Sequence, residues 1–185
     1  MIVDMALDFA GMARVFSKKS NEHILPKLRE FFARLDCIQD RSGYDQFHAE
    51  LCNWFTQNIR TAERKGKNPI PEGSCSYGQA AKVVNISAKV YVYYCALPSS
   101  NAAQVLVPML HAALDEGMIE HLRKRFPGAG IQARTNKAVD RDEYERLRSH
   151  VAKEIQEDFR SEIFPVQYDD ITFRRLNRAP PLQPK

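Results

Sequence analysis

Hydrophobic residues recur along this chain of 185 residues at the three- and four-residue spacing that is typical of amphipathic helices. We predict an all-α fold, with six or seven helices in a single domain over residues 1–178 and a disordered, proline-rich tail at 179–185. Capping boxes support these helices, as where Asp140 is followed three positions later by Glu143 at the start of a long apolar stripe. The alternation that would favour a strand is confined to YVYY at 91–94, which remains an alternative to helix there.

The most apolar of the predicted helices covers residues 76–98 and carries one polar stripe. Polar side chains recur along it at steps of three or four and therefore share one face: Gln79, Lys82, Asn85, Lys89 and Tyr93. A helix this apolar is mostly buried, and a lysine is rarely buried without a partner. We expect Lys82 and Lys89 either to extend from the helix edge into water or to hold an anion that Asn85 orients. Phosphate is the natural candidate, because lysine serves it as a point charge.

The charge balance permits an anionic partner without requiring one. The formal net charge is +4 and the isoelectric point is about 8.9, which is mildly basic. Arg123, Lys124 and Arg125 precede a polar loop, where phosphate contacts form easily. A solvated helix face is the ordinary alternative for such a cluster. We predict that the protein binds an anionic partner, most naturally nucleic acid, through Gln79 and the Lys82–Asn85–Lys89 set, assisted by the three basic residues at 123–125.

The composition also indicates the cellular compartment and the cofactors that we expect. The four cysteines form no Cys-x-x-Cys pair, and Cys37, Cys52 and Cys95 lie among core-type residues, which predicts buried, reduced thiols in a cytoplasmic protein. We expect no metal and no cofactor, since no ligands lie at the close spacing of a zinc site. No apolar run approaches the roughly 20 residues of a membrane span, so we expect no membrane association. The first residues lack a basic leader and are not read as a signal peptide.

Two further pairs carry possible chemistry. His111 and Asp115 lie four residues apart in a helix that we predict over 101–125, so that Asp115 could orient the imidazole; an ordinary surface pair is the alternative. Arg41 and His48 have the Arg-x(4–6)-His spacing of HEPN-type ribonucleases, which are also all-α proteins. In those proteins the motif lies in a late helix, and we interpret the match here as chance.

The pattern YGxAxKxxNxxxK followed by HxxxD, from Tyr77 to Asp115, resembles one found in uncharacterised bacterial all-α proteins and implies no established activity. The chain also resembles helix-hairpin-helix DNA glycosylases, in which a lysine follows a glycine-rich hairpin and an aspartate follows the lysine. That resemblance implies Lys82 as an amine nucleophile that attacks the sugar C1′ and Asp115 as the supporting carboxylate. The chain departs from the family in having only Gly78 before the lysine and a longer gap to the aspartate.

The N-terminal segment supplies a third hypothesis, of a structural or interaction protein. Apolar residues lie on one stripe of a helix predicted over 3–18: Met5, Phe9, Met12 and Phe16. Such a stripe could dock on a partner protein or on a second copy of the chain as a homodimer. Packing in the chain's own core explains the same stripe equally well.

Overall fold

The computed structural model describes residues 12, 14–63 and 71–177. The all-α prediction is confirmed within them, because seven α-helices account for most of the described chain. The helices are α1 (Lys18–Phe32), α2 (Arg41–Asn58), α3 (Tyr77–Ala88), α4 (Ser100–Leu106), α5 (Glu116–Arg125), α6 (Arg141–Phe159) and α7 (Pro165–Leu176). Two short strands, β1 (Arg60–Thr61) and β2 (Gly73–Ser74), pair antiparallel. Short 3₁₀ turns occur at Leu35–Cys37, Val107–Met109 and Asn136–Ala138.

Helix α3 is the predicted apolar helix, and its start is a capping box. The Ser76 hydroxyl accepts from the Gln79 backbone N–H, and the Gln79 side chain accepts from the Ser76 backbone N–H. Beyond Ala88 the backbone continues as a wider π-helical segment, Lys89–Tyr94. YVYY therefore belongs to this helix, and the strand alternative is wrong.

The hydrophobic core forms around α3. Most of its residues are buried, and α2 packs along it. One continuous cluster of buried side chains joins the described helices, with four tyrosines among its members: Tyr44, Tyr77, Tyr144 and Tyr168. The Tyr144 hydroxyl meets polar partners inside this core, the Asn85 amide and the His111 imidazole.

Gly78 lets another segment approach the start of α3 closely. A Cβ atom at this position would lie 2.5 Å from the Asn136 carbonyl oxygen and 2.5 Å from Val139 Cβ. The Gly78 backbone N–H donates to the Val139 carbonyl, and the Ser76 hydroxyl donates to the Asn136 carbonyl. The turn at Asn136–Ala138 is therefore held against the first turn of α3, and it forms one wall of a cavity described below.

The helix predicted over 101–125 is broken in the structure. Helix α4 ends at Leu106, a 3₁₀ turn contains Pro108, and residues 110–115 are irregular before α5 begins at Glu116. Proline lacks an N–H and clashes with the preceding helical turn, so Pro108 ends the helix instead of bending it. The prediction that His111 and Asp115 share a helical face is wrong for this reason.

The N-terminal prediction is only partly covered by the described residues. Met5 and Phe9 lie outside them, as does the tail at 179–185. Met12 and Phe16 are buried, and Phe16 forms a β-bridge with Thr61, so the segment around it is not helical. These two side chains belong to the chain's own core, which removes them from the proposed docking face.

The cysteine prediction is wrong for two of the three residues that it named. Cys52 and Cys75 are buried, but Cys37 and Cys95 are exposed. Both exposed thiols lie where a helical segment ends, Cys37 in a 3₁₀ turn and Cys95 just after the π-helical segment. None of the described helices has the length and hydropathy that a membrane-spanning helix requires.

Candidate functional site

The polar stripe of α3 does not form one contact surface. Gln79 closes the capping box, Lys82 lines a cavity, Asn85 is buried in the core, and Lys89 is held in ion pairs. The structure thus corrects the predicted contact set, because Asn85 and Lys89 have committed their polar groups to partners within the chain. Among the described residues, Lys82 is the stripe lysine whose ammonium has no ion-pair partner within 4.0 Å.

Lys89 connects the π-helical segment to α7. Its Nζ lies 2.8 Å from Asp169 Oδ2 and 2.5 Å from Asp170 Oδ1, and its side chain is only 12% exposed. Burial lowers the pKa of Lys89, but the two carboxylates outweigh burial and raise the pKa above its ordinary value. Lys89 is therefore a structural cation that joins two elements.

The basic cluster at the end of α5 also has partners of its own. Arg123 and Lys124 pair with Glu120 one turn earlier, and Arg125 pairs with Glu157 of α6 at 3.0 Å. Exposed pairs of this kind contribute little to stability. None of the three basic residues lines the cavity next to Lys82.

A cavity of about 500 Å³ lies beside the first turns of α3, and we call it the Lys82 cavity. Three of its lining residues are cationic, two are acidic, and the rest are polar, small or apolar. The cations are Arg14, Lys82 and Lys137, and the acids are Asp115 and Glu116. Lys137 is brought here by the turn that Gly78 admits.

The cations of the Lys82 cavity form no close ion pair within the described part of the chain. Among residues 12, 14–63 and 71–177, no carboxylate oxygen lies within 4.0 Å of the side-chain nitrogens of Arg14, Lys82 or Lys137. Asp115 lines the same cavity, with its Oδ1 accepting from the Met118 backbone N–H at 2.8 Å as the N-cap of α5. The geometry is that of a polar recess with excess positive charge.

A second polar region, buried beneath α2, α3 and α6, centres on Asn85. The Asn85 Nδ2 donates to the Ala112 carbonyl at 2.8 Å and to the Tyr144 hydroxyl at 2.9 Å. Its Oδ1 lies 2.8 Å from His48 Nε2. His111 Nδ1 lies 3.0 Å from the Tyr144 hydroxyl. We call this set, with Asp45 and Arg148 at its outer end, the Asn85 network.

The hydrogen positions in the Asn85 network follow from its geometry. The Ala112 carbonyl can only accept, which fixes the orientation of the Asn85 amide and makes His48 Nε2 a donor. The Asp45 carboxylate can only accept, so a neutral His111 carries its proton on Nε2 and donates to Asp45 Oδ1 at 2.7 Å. His111 Nδ1 is then an acceptor, and the Tyr144 hydroxyl donates to it. Each donor of the Asn85 network that these contacts involve thereby meets one acceptor.

Burial keeps both imidazoles of the network neutral. Burial is the largest cause that lowers the pKa of His48, to well below its ordinary value, with the neighbouring His111 as the next cause. Burial also lowers the pKa of His111 to about 4, because its hydrogen bond to Asp45 offsets only part of the penalty. Burial tends to raise the pKa of Asp45, but His111 and Arg148 outweigh it and lower the value to about 2.

The Asn85 network opens into a second cavity of about 400 Å³, which we call the Asp45 cavity. Helix α2 contributes Arg41 and Asp45, one turn apart on the same face. Helix α6 contributes one face, whose residues recur three or four positions apart: Glu145, Arg148, Ser149 and Ala152. His111 lines the cavity from the irregular segment that follows Pro108. Sequence analysis missed Asp45, Tyr144 and Arg148, because their partners lie 33 to 103 positions away.

The structure places Arg41 and His48 in different surroundings. Arg41 lines the Asp45 cavity, whereas His48 is only 1% exposed and faces Asn85. The histidine that reaches the cavity is His111. Two residues of the glycosylase resemblance do come together, since Lys82 and Asp115 both line the Lys82 cavity.

No family model matches the chain, and neither a curated protein nor a solved structure matches it. The two resemblances therefore stay predictions. Within the described part of the chain, no three histidine, cysteine or carboxylate side chains come together in a way that could hold a metal ion.

We predict that the two stripe lysines differ in their effect on stability. Lys89→Met leaves two neighbouring carboxylates without their cation in a largely buried position and should lower the free energy of unfolding by roughly 3 kcal/mol. Lys82→Met, which keeps the same apolar stem, should change it by less than about 0.5 kcal/mol. Urea unfolding followed by circular dichroism measures both. Equal losses in the two variants would contradict the assignment of Lys89 as the structural cation.

Proposed function

We propose that this protein binds nucleic acid in the cytoplasm, with phosphate groups held at the Lys82 cavity. The observation that carries the proposal is the convergence of three cations, Arg14, Lys82 and Lys137, on one recess, where none of them forms a close ion pair with another described residue. Lysine and arginine neutralise phosphates and release their counterions, which is the main source of affinity for a nucleic acid backbone. The cavity replaces the Lys82–Asn85–Lys89 stripe as the contact surface.

The other lining groups favour a ligand that is more than a simple anion. Asp115 and Glu116 offer carboxylate oxygens, and Gln79 and Asn136 line the cavity with amides. A phosphate alone would be repelled by the carboxylates, whereas a nucleotide can turn its phosphate to the cations and its N–H donors to the acids. This mixture supports a nucleic acid over inorganic phosphate.

We predict that charge removal at the Lys82 cavity weakens binding in a salt-dependent way. The double variant Lys82→Ala/Lys137→Ala should bind a fluorescent single-stranded oligonucleotide more weakly than the unaltered protein. If each lysine meets one phosphate, the slope of log affinity against log salt should become shallower by about 1.4. Fluorescence anisotropy at several salt concentrations measures both quantities.

The matched control for this experiment removes a cation elsewhere. Lys124 is an exposed lysine of α5 that does not line the Lys82 cavity. Lys124→Ala should leave the affinity and the slope close to those of the unaltered protein. Affinity and slope that do not change in the double variant, or that change equally in the control, would remove the proposal.

A second candidate function is an abasic-site lyase, favoured by the position of Lys82 and Asp115 in one cavity. In such a reaction the neutral amine of Lys82 would attack the sugar C1′ and expel water from the open-chain aldehyde to give an imine. Asp115 would stabilise the positive charge that develops on the sugar. This reaction is also the one that the glycosylase resemblance implies.

We predict for this candidate that borohydride reduces the imine and links the protein covalently to DNA that contains an abasic site. The adduct should be absent with Lys82→Ala and reduced with Asp115→Asn, since asparagine preserves the N-cap of α5. Denaturing electrophoresis measures the adduct. No adduct from the unaltered protein, under conditions that trap a known lyase, would eliminate this candidate and leave the binding proposal standing.

A further inference from the structure

At the Asp45 cavity, Arg41 forms no close ion pair within the described part of the chain. Arg41 donates to the carbonyl oxygens of Pro108 and Met109, which fix its guanidinium in place. Among the described residues no carboxylate oxygen lies within 4.0 Å of it. Backbone carbonyls do not neutralise a guanidinium, so Arg41 retains its charge and its remaining N–H donors for an anionic group.

Two carboxylates of the same cavity each keep one oxygen available. Asp45 uses Oδ1 for both His111 Nε2 and Arg148 Nη2, at 2.7 and 2.9 Å, and Glu145 uses Oε2 for Arg148 Nη1 at 2.7 Å. Within the described chain no hydrogen bond reaches Asp45 Oδ2 or Glu145 Oε1. The side chains are 34% and 48% exposed, so these oxygens are accessible as acceptors.

The Asn85 network holds these groups in a fixed geometry. Asp45 is oriented by His111, which is oriented in turn by Tyr144 and Asn85, all within the buried core. A receptor group that is fixed before the ligand arrives loses little side-chain entropy on binding. The apolar wall of the cavity, Ala112, Leu114, Val151, Ala152 and Pro165, offers a surface for a flat ring.

We propose that the Asp45 cavity is a base-recognition site for a nucleotide whose base carries an exocyclic amino group. The amino group would donate to Asp45 Oδ2, and the phosphate would face Arg41. Carboxylates are the side chains that accept from the amino group of cytosine, which makes cytosine the reference ligand. The inference concerns a cavity other than the Lys82 cavity, and it rests on the proposed function only in taking nucleotides as the ligands.

The test compares cytidine monophosphate with uridine monophosphate, which present an amino group and a carbonyl at the same position. The unaltered protein should bind the cytidine nucleotide about tenfold more tightly. In Asp45→Asn, the amide oxygen can keep the bonds to His111 and Arg148 while the amide nitrogen donates into the cavity. The preference should then reverse or vanish. Two-dimensional NMR titration measures the affinities.

Arg41 is tested by removing the phosphate from the ligand. The chemical shifts of the residues that line the Asp45 cavity report binding at that cavity. There the unaltered protein should bind cytidine monophosphate more tightly than cytidine, and Arg41→Ala should bind the two equally. Lys82→Ala should keep the preference for the cytidine nucleotide, because it alters the other cavity. Loss of oligonucleotide binding in that variant with an intact cytidine preference would therefore separate the two sites.

Glu145→Gln serves as the second variant if Asp45→Asn does not fold, as judged by circular dichroism. It should also weaken the cytidine preference, whereas Glu157→Gln on the same helix, away from the cavity, should not. Three results would overturn the inference: no binding of either nucleotide, equal binding of both by the unaltered protein, or a preference that the substitutions at 45 and 145 leave unchanged.

Discussion

The structure depends on the hydrogen bonding of one buried amide, that of Asn85. An unpaired polar group in a core costs the protein more than a single hydrogen bond returns, so this amide must meet all of its partners at once. It does so only when α2, α6 and the segment after Pro108 lie where they are, because each supplies one partner: His48, Tyr144 and the Ala112 carbonyl. The amide thus specifies the arrangement of elements that nonspecific apolar contacts around α3 would leave open.

The hydrogen bonding of Asn85 also determines where both candidate sites lie. Lys82 lies one helical turn before Asn85 on α3, so fixing the helix also fixes the cation that lines the Lys82 cavity. In the other direction the network runs through Tyr144 and His111 to Asp45 at the rim of the Asp45 cavity. The irregular segment at 110–115 contributes to both recesses, with His111 lining one and Asp115 the other. Its position follows from the helix break at Pro108.

The features that could be predicted from the sequence are those that depend on the local spacing of residues. The helix over 76–98, its capping box and the all-α class follow from periodicity and caps, and the polar stripe led to Lys82. The uses of Asn85 and Lys89 could not be predicted, since their partners, Tyr144 and Asp169, are distant in sequence and were chosen by tertiary packing. The sequence analysis paired His111 with the wrong carboxylate. Asp115 is near His111 in sequence, but Asp45 is near it in space, because the predicted helix ends before Pro108. No local pattern distinguishes those two aspartates.

The most direct test of this account is the protonation state of His111 and His48, read by long-range proton–nitrogen NMR. The Asn85 network requires the Nε2–H tautomer for both rings at neutral pH, and we expect a pKa of about 4 for His111. As the pH decreases, His111 takes up a proton in the unfolded chain at a higher pH than in the folded chain. Its contribution to the free energy of unfolding is therefore fully present above the ordinary histidine pKa of about 6.5 and is lost as the pH decreases toward 4. An Nδ1–H tautomer for either ring, or a His111 titration near 6.5, would contradict the network on which the whole arrangement is built.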